Sequence, residues 1–532
     1  MGVSSNTRAP QRETFSGRSA FIFAAIGSAV GLGNIWRFPY VAYTNGGGAF
    51  ILPYLVALLT AGIPLLFLFY SIGHRFRGSP PLAFRRLHPK TELFGWWQVL
   101  ISFVISVYYA AVIAWAAAYI FYSIDLAWGV DPTSFFINDF LKTSKEVTVG
   151  FDFVPTVLAL LVAIWTISIA VLASGVQRGI ARLSIVFIPL LFVMFGLLVI
   201  QALMLPGAEV GLNALFTPDW GKLTDSSIWI AAYGQIFFSL SVGFGIMLTY
   251  SSYLKKKTNL TSSGLVVAFA NSSFEILAGI GIFAALGFIA VQNGQAVNEV
   301  VSSGVGLAFI GFPTILSQAP MGNVLGVLFF TSLVFAGFTS LVSIQEVVIS
   351  AVKDKLGASR VKATLLVGIP SALLSIGLFS TTTSLNLLDL TDAFINSFGI
   401  VAVTLVIVLT ISVGYSALPT LRNHLNSVST FKVGRGWQLL VAGVTPVVLG
   451  YTLINSIQER LTEGYGDMPA NFVNIFGWGM VISLVVVAWL LTKLSWSKHS
   501  ALYQPDLDGL PVAEPIFDAK LDIDLIEKGN RL

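Results

Sequence analysis

Twelve stretches of this chain run for about twenty residues or more with scarcely a charge. They lie at roughly 19–43, 48–74, 94–124, 153–173, 180–204, 227–252, 261–291, 322–352, 363–380, 387–415, 437–458 and 470–494. A run of that length crosses the hydrocarbon core as a helix. Only 11% of the 532 residues are charged, against about 25% in an ordinary soluble domain. The expected fold is therefore an all-α polytopic membrane protein of about twelve transmembrane helices. It divides into an N-terminal segment 1–18, a first set of spans 19–204, a loop 205–226, a second set 227–415, two further spans within 416–494, and a tail 495–532.

Loop charge alternates. Arg75, Arg77, Arg85, Arg86 and Lys90, then Arg178 and Arg182, Lys255–Lys257, Lys353, Lys355, Arg360 and Lys362, and Arg422, Lys432 and Arg435 fall in one set of loops. The other set is poor in cations: 125–152 has Lys142 and Lys145, 205–226 has Lys222, and 292–321 has none. The positive-inside rule places the basic set, and both termini, in the cytoplasm. Segments 125–152 and 292–321 have the mixed polarity of short helices. Met1–Ser16 has no apolar region ending in small residues, so no cleaved signal peptide is expected. The tail carries Asp506, Asp508, Glu514, Asp518, Asp522, Asp524 and Glu527 among three prolines and reads as poorly ordered. There is no cysteine, hence no disulfide or thiolate site.

The first apolar run contains Gly27-Ser-Ala-Val-Gly-Leu-Gly-Asn-Ile-Trp-Arg-Phe-Pro-Tyr40. Glycines, an amide and an arginine are out of place in a continuous spanning helix. Non-helical backbone at membrane depth survives only where it is buried in protein or lines a cavity. The helix is expected to break at Gly31 and Gly33. A broken helix offers carbonyls to a cation at one half-helix end and amides to an anion at the other. That suits a carrier binding an ion and a carboxylate together. The sixth run has a similar centre, Gly234-Gln-Ile-Phe-Phe-Ser239-Leu-Ser241-Val-Gly243-Phe-Gly245. Two interrupted helices five spans apart fit a 5+5 inverted repeat with the site at its interface.

These motifs, with Asn45-Gly-Gly-Gly-Ala-Phe50, Tyr108-Tyr109 and Ala336-Gly-Phe-Thr-Ser340, closely resemble the neurotransmitter:sodium symporter family, in its prokaryotic amino-acid branch. The resemblance runs from about Arg12 to Ser412. It implies two sodium ions. The first would be held by the Ala29 carbonyl, the Asn34 and Asn271 amide oxygens and Ser239. All are neutral, so the ion's charge is left for a substrate carboxylate to balance. The second would sit between the Gly27 and Val30 carbonyls and Ala336, Thr339 and Ser340. Read alone, Thr339-Ser340 is equally a hydroxyl pair bonding back to its own helix.

The resemblance further implies that amides at Leu32 and Gly33 and the Tyr109 hydroxyl hold a carboxylate beside Ala29. Carbonyls of Phe238 and Ser239, with Ser340, would hold an ammonium group. Ile105, Phe238, Ser241, Phe244 and Ile344 would line the side-chain pocket. Amine-transporting relatives place an acid where this chain has Gly31, so the substrate must bring its own carboxylate. The mapped pocket has no charged residue, which favours a neutral, apolar amino acid.

Arg37 and Asp392 would close the outer vestibule, with Tyr109 and Phe238 as the lid beneath. Arg12 and Asp354 match the inner ion pair, supported by Tyr253. Phe15 stands where relatives often have tryptophan, implying a looser plug. Glu275 lies one helical turn after Asn271, where chloride-dependent relatives have serine. Its own charge would make transport chloride-independent and would permit proton counter-transport. Glu346 is expected to be a structural acid. Gly179 and Pro189 match a motif for local unwinding in span 5, although a simple proline kink explains them equally.

The expected activity is thus sodium-coupled import of neutral amino acids across an inner (plasma) membrane, with no catalytic chemistry. The rivals are a symporter of another zwitterion, such as a betaine or gamma-amino acid, and a non-transporting amino-acid sensor. A nucleic-acid partner is not expected. A homodimer is compatible with the sequence and not required by it.

Overall fold

The computed structural model describes residues 12–300 and 304–497; the acidic tail and Arg8 lie outside them. Among the described residues ten continuous helices are long and apolar enough to cross a bilayer. Span 1 is a bent pair, Arg18–Ala29 and Leu32–Thr44, which meet at 54°. Spans 2–5 are Gly48–Phe76, Pro89–Tyr122, Pro155–Ala173 and Val176–Leu203. Span 6 is assembled from Ser226–Ser239 and Ile246–Ser251. Spans 7–12 are Leu260–Asn293, Gly322–Leu356, Arg360–Phe379, Ser384–Gly414, Arg435–Thr462 and Ala470–Thr492. No strand occurs among the described residues; two isolated bridges, Gly47 with Pro218 and Phe153 with Thr381, are the only strand-like pairings. The mixed-polarity loops carry short helices, Phe135–Phe140 within 125–152 and Phe312–Gln318 within 292–321, and the loop 205–226 carries Ala208–Phe216.

Both breaks are made by backbone that cannot continue a helix. Val30 and Gly31 are extended (ψ 96° and −166°). In span 6, Ser241, Gly243 and Gly245 all have positive φ (51°, 96° and 89°), a region that costs a side chain energy and suits glycine. Gly243 has a second reason to be glycine, since a Cβ there would lie 2.2 Å from the Thr404 hydroxyl.

The two broken helices cross-pair. Arg18–Ala29 touches Ile246–Ser251, and Leu32–Thr44 touches Ser226–Ser239. They therefore run antiparallel, as an inverted repeat demands. Span 2 packs on span 7, span 3 on span 8 and span 4 on span 9, so four of the five related pairs meet directly. Spans 11 and 12 are peripheral: apolar side chains such as Leu439, Val447, Ile475 and Ile482 are exposed, as on a lipid-facing surface.

On the basic face, spans 3 and 8 are tied by one carboxylate. Glu92 pairs with Lys355 at 2.7 Å, each side chain 2% exposed. Glu92 also accepts from Arg85 at 2.7 Å, from Trp96 at 3.0 Å and from Trp496 at 3.0 Å. The Lys355 ammonium lies 4.3 Å from the Trp496 ring. A buried pair that loses one partner leaves an uncompensated charge, which costs about 3–5 kcal/mol. Glu92→Leu is therefore expected to lower the unfolding midpoint of the detergent-solubilised protein sharply. Glu92→Leu/Lys355→Met should recover most of the loss, and a double variant as unstable as the single one would contradict this account.

Candidate functional site

The site is built where the two breaks meet. Its first task is to satisfy the backbone groups that the missing helical turns leave bare, since orphaned buried amides and carbonyls are costly. Asn34 accepts from the Gly31 amide at 2.9 Å, and the Tyr109 hydroxyl accepts from the Leu32 amide at 3.3 Å. In span 6, Gln98 donates to the Gly243 carbonyl at 2.8 Å and Ser102 to the Phe244 carbonyl at 2.6 Å. Span 3 is thus the rail on which both broken helices rest.

The structure brings Asn34, Asn271 and Ser239 together. Asn34 Nδ2 donates to Asn271 Oδ1 at 2.8 Å, and Asn271 donates to the Ser239 hydroxyl. All three are buried. With Ala29 at the end of the first half-helix, this is a cluster of neutral oxygens, the donor type that a hard monovalent cation prefers. The second cluster also assembles. Ser340 donates to the Gly27 carbonyl at 3.2 Å, which binds span 8 to span 1. A Cβ on Gly27 would lie 3.0 Å from Ile188 and 3.3 Å from Thr339. Thr339 donates to the Phe335 and Ala336 carbonyls, both at 3.0 Å, so the alternative reading of that hydroxyl is also present. Ile188 precedes Pro189, and Val176–Ala181 forms a widened π-type turn around Gly179. Ile188, next to Pro189, therefore lies against Gly27, whereas Gly179 packs on the Val171 backbone of span 4.

Gly31 lies between span 3 and span 8. A Cβ there would be 3.1 Å from the Tyr109 hydroxyl and 3.1 Å from the Ser340 hydroxyl. Gly33 carries the Phe238 ring, which a Cβ would overlap at 2.1 Å. Ile105, Phe244 and Ile344 are buried on spans 3, 6 and 8. Ser241 differs from the expectation of a pocket-lining hydroxyl. It donates to the Ser28 carbonyl at 2.9 Å, so it ties the two breaks together.

Glu275 is 0% exposed. It accepts from Gln235 at 2.7 Å and from the Tyr54 hydroxyl, whose oxygen in turn accepts from the Ser272 hydroxyl at 2.8 Å. Neither partner is cationic, so a buried acid is held by neutral donors one turn from Asn271.

The expected Arg37–Asp392 pair is not made in this conformation. The Arg37 guanidinium lies 4.5 Å from the centre of the Phe238 ring. Asp392 instead accepts from Tyr108 at 2.7 Å and from Asn396 at 2.9 Å. At the other end the expected ion pair is made. Arg12 pairs with Asp354 at 2.9 Å, donates to Ser252 at 2.8 Å and lies 4.8 Å from the Tyr253 ring centre. Phe15 is no loose plug: it is 1% exposed and meets Phe21, Tyr250 and Tyr253 edge-on.

The ion-pair network at this end is larger than the motif reading foresaw. Arg360 pairs with Glu346 through both guanidinium arms, at 2.8 and 2.6 Å, and Tyr253 donates to Glu346 at 2.6 Å. Glu13 pairs with Lys353 at 2.5 Å and accepts from the Val176 amide at 2.9 Å. Burial alone would raise the Glu13 carboxyl, but Arg360, Lys353 and the Val176 amide hold it below its ordinary range. Glu13 adjoins Arg12, and its charge was the one available signal in the sequence. Arg360 was read only as a loop cation, because its partner lies 14 residues away on another helix.

Comparison with known proteins agrees with this geometry. A family model described as the sodium:neurotransmitter symporter family matches residues 12–135 and 128–499. An uncharacterized sodium-dependent transporter of Methanocaldococcus jannaschii is 39% identical, over 92% of this chain and 99% of its own length. One of Bacillus subtilis is 31% identical, over 83% and 97%. A sodium- and chloride-dependent glycine transporter 2 of Xenopus laevis is 28% identical, over 89% and 68%. With broken, antiparallel spans 1 and 6 meeting at two clusters of neutral oxygens, and with that coverage, the chain belongs to the sodium:neurotransmitter symporter family.

Proposed function

We propose that this protein is a sodium-coupled symporter that imports neutral, apolar amino acids by alternating access, independently of chloride. The reading is carried by the crowding at Gly31. The hydroxyls of Tyr109 and Ser340 each lie 3.1 Å from where a Cβ would stand, so this position has no room for an acidic side chain and offers no carboxylate to an amine. A substrate with its own carboxylate supplies the charge that the neutral first sodium cluster lacks. Leu32 and Gly33 amides and Tyr109 receive that carboxylate, and Phe238, Ser239 and Ser340 receive the ammonium group. The relatives named for glycine and GABA transport support a carboxylate-bearing substrate.

The basic face is cytoplasmic in this reading, and the membrane is a plasma (inner) membrane. The Arg12–Asp354 and Arg360–Glu346 pairs then close the inner side, while Arg37 and Asp392 stand apart outside. That is an outward-facing state. Two sodium ions and the amino acid bind, Arg37 meets Asp392, and the inner pairs part as spans 1 and 6 swing from the rail formed by span 3. The second ion clamps Gly27 to span 8 and is released as span 5 yields near Gly179. Ligands can drive this change only through their differential affinity for the two states.

Uptake into proteoliposomes tests the reading. A pool of labelled neutral amino acids should accumulate with an inward sodium gradient in chloride-free buffer, and not with potassium. Binding without accumulation would favour a sensor, and competition by betaines or gamma-amino acids would favour the other zwitterion class. Glu275→Ser is expected to cut chloride-free uptake by roughly tenfold, the scale of a coupling free energy between adjacent sites. Added chloride should restore it; chloride-stimulated uptake by the parent protein would remove Glu275 from this role. Gly31→Asp should reduce amino-acid uptake to background, because its carboxylate must displace Tyr109 and Ser340 and would compete with the substrate's own. Retained uptake would show that the substrate carboxylate lies elsewhere.

A further inference from the structure

The Tyr108-Tyr109 pair contributes one hydroxyl to the substrate region and one to a place that the transport cycle above does not use. Tyr108 is 3% exposed, with its ring against Phe379 of span 9. Its hydroxyl donates to Asp392 Oδ1 at 2.7 Å. Asn396, one turn further along span 10, donates to the same Oδ1 at 2.9 Å and to the Asp392 backbone carbonyl at 2.8 Å. Two donors on one oxygen fix the rotation of the carboxylate. A hydrogen bond from a hydroxyl to an ionised carboxylate is of the stronger kind, and it is made at the expense of any competing donor. The competing donor is Arg37, whose guanidinium is parked on the Phe238 ring.

We propose that Tyr108 is a positioning residue that holds Asp392 away from Arg37 and so sets how readily the outer gate closes. The proposal rests on the assignment of Arg37 and Asp392 as the outer gate. Tyr108 and Tyr109 are consecutive on one rigid helix. The Tyr109 hydroxyl bonds the broken end of span 1 at Leu32, and the Tyr108 hydroxyl bonds span 10. A shift of span 1 relative to span 3 on ligand binding therefore passes the same helical turn that restrains the gate acid. The gate is open here because its acid has a better-placed partner, and closing requires that partner to be exchanged for Arg37.

The chain has no cysteine, so a single introduced thiol reports on the gate directly. Gly234 lies one turn before Phe238 on span 6, and a Cβ there meets no atom within 4 Å. In a Gly234→Cys background, labelling by a membrane-impermeant thiosulfonate is followed in sodium buffer without any organic substrate. Tyr108→Phe removes only the donor. It is expected to shift the gate toward closure by roughly tenfold or more, the scale of a lost hydrogen bond to a charged group, seen as correspondingly slower labelling. Asn396→Ala, which removes the second donor on the same oxygen, should slow labelling in the same direction and serves if Tyr108→Phe does not fold. Adding Asp392→Asn to either should return the parental rate, because no carboxylate is left to capture Arg37. Labelling at or above the parental rate in the single variants, or slow labelling that persists with Asp392→Asn, overturns the proposal. The readout needs no amino acid. Failure of the parent protein to accumulate any amino acid would overturn the symport reading and leave this result to be judged by itself.

Discussion

Backbone taken out of a helix inside a membrane protein must find its hydrogen bonds in side chains, and everything at this site follows from how that demand is met. Asn34, Gln98, Ser102, Tyr109 and Ser241 each satisfy a group at one of the two breaks. Three of the five stand on span 3. Two of the five, Asn34 and Tyr109, are also residues proposed above to hold the cation and the zwitterion. Stability of the unwound segments and the proposed ligand binding therefore meet at those two residues. Such a set is a natural place for two competing arrangements of similar energy.

Charge is distributed unevenly across the molecule. Glu13, Arg12, Glu346, Lys353, Asp354 and Arg360 form a continuous network around Tyr253 on the basic face. Glu92 and Lys355 make a second, static pair immediately beside it. At the opposite end Arg37 and Asp392 are each held by an uncharged partner. The asymmetry is one of pairing: charges meet charges at one end and uncharged partners at the other, which the proposed cycle reads as an inner gate closed and an outer gate open. In a medium of low dielectric the exchange of such partners carries a large electrostatic consequence, which suits it to gating.

Much of this was legible in the chain. Apolar run length predicts the spans because a helix must cover a bilayer of given thickness. Gly31, Gly243 and Gly245 mark the breaks, Gly31 by the crowding around it and the other two by their positive φ; Gly33, expected at the break, lies inside the second half-helix, where the Phe238 ring leaves no room for a Cβ. Asn34, Asn271, Ser239, Thr339 and Ser340 follow from motif resemblance, and the fold brings each group together. Ser241 was harder. Its hydroxyl reads as a pocket lining until the antiparallel crossing places the Ser28 carbonyl within reach. Glu13, Arg360 and Tyr54 left little trace, since an ionic partner on another helix has no fixed sequence spacing. Phe15 carries a milder lesson: a smaller ring than tryptophan is still fully packed when three aromatic edges converge on it.

What the sequence alone determined is the class of object: an all-helical membrane protein with two interrupted spans and neutral oxygens at the interruptions. Those features are local. They depend on helix geometry, bilayer thickness and the cost of bare backbone, all of which act over a few residues or a single span. Only the tertiary structure decided which charge meets which. Arg37 rests on Phe238, Asp392 on Tyr108 and Asn396, and Arg360 on Glu346, because long flexible side chains choose among partners brought near by helix packing. The pairing of charges is a property of the assembled bundle.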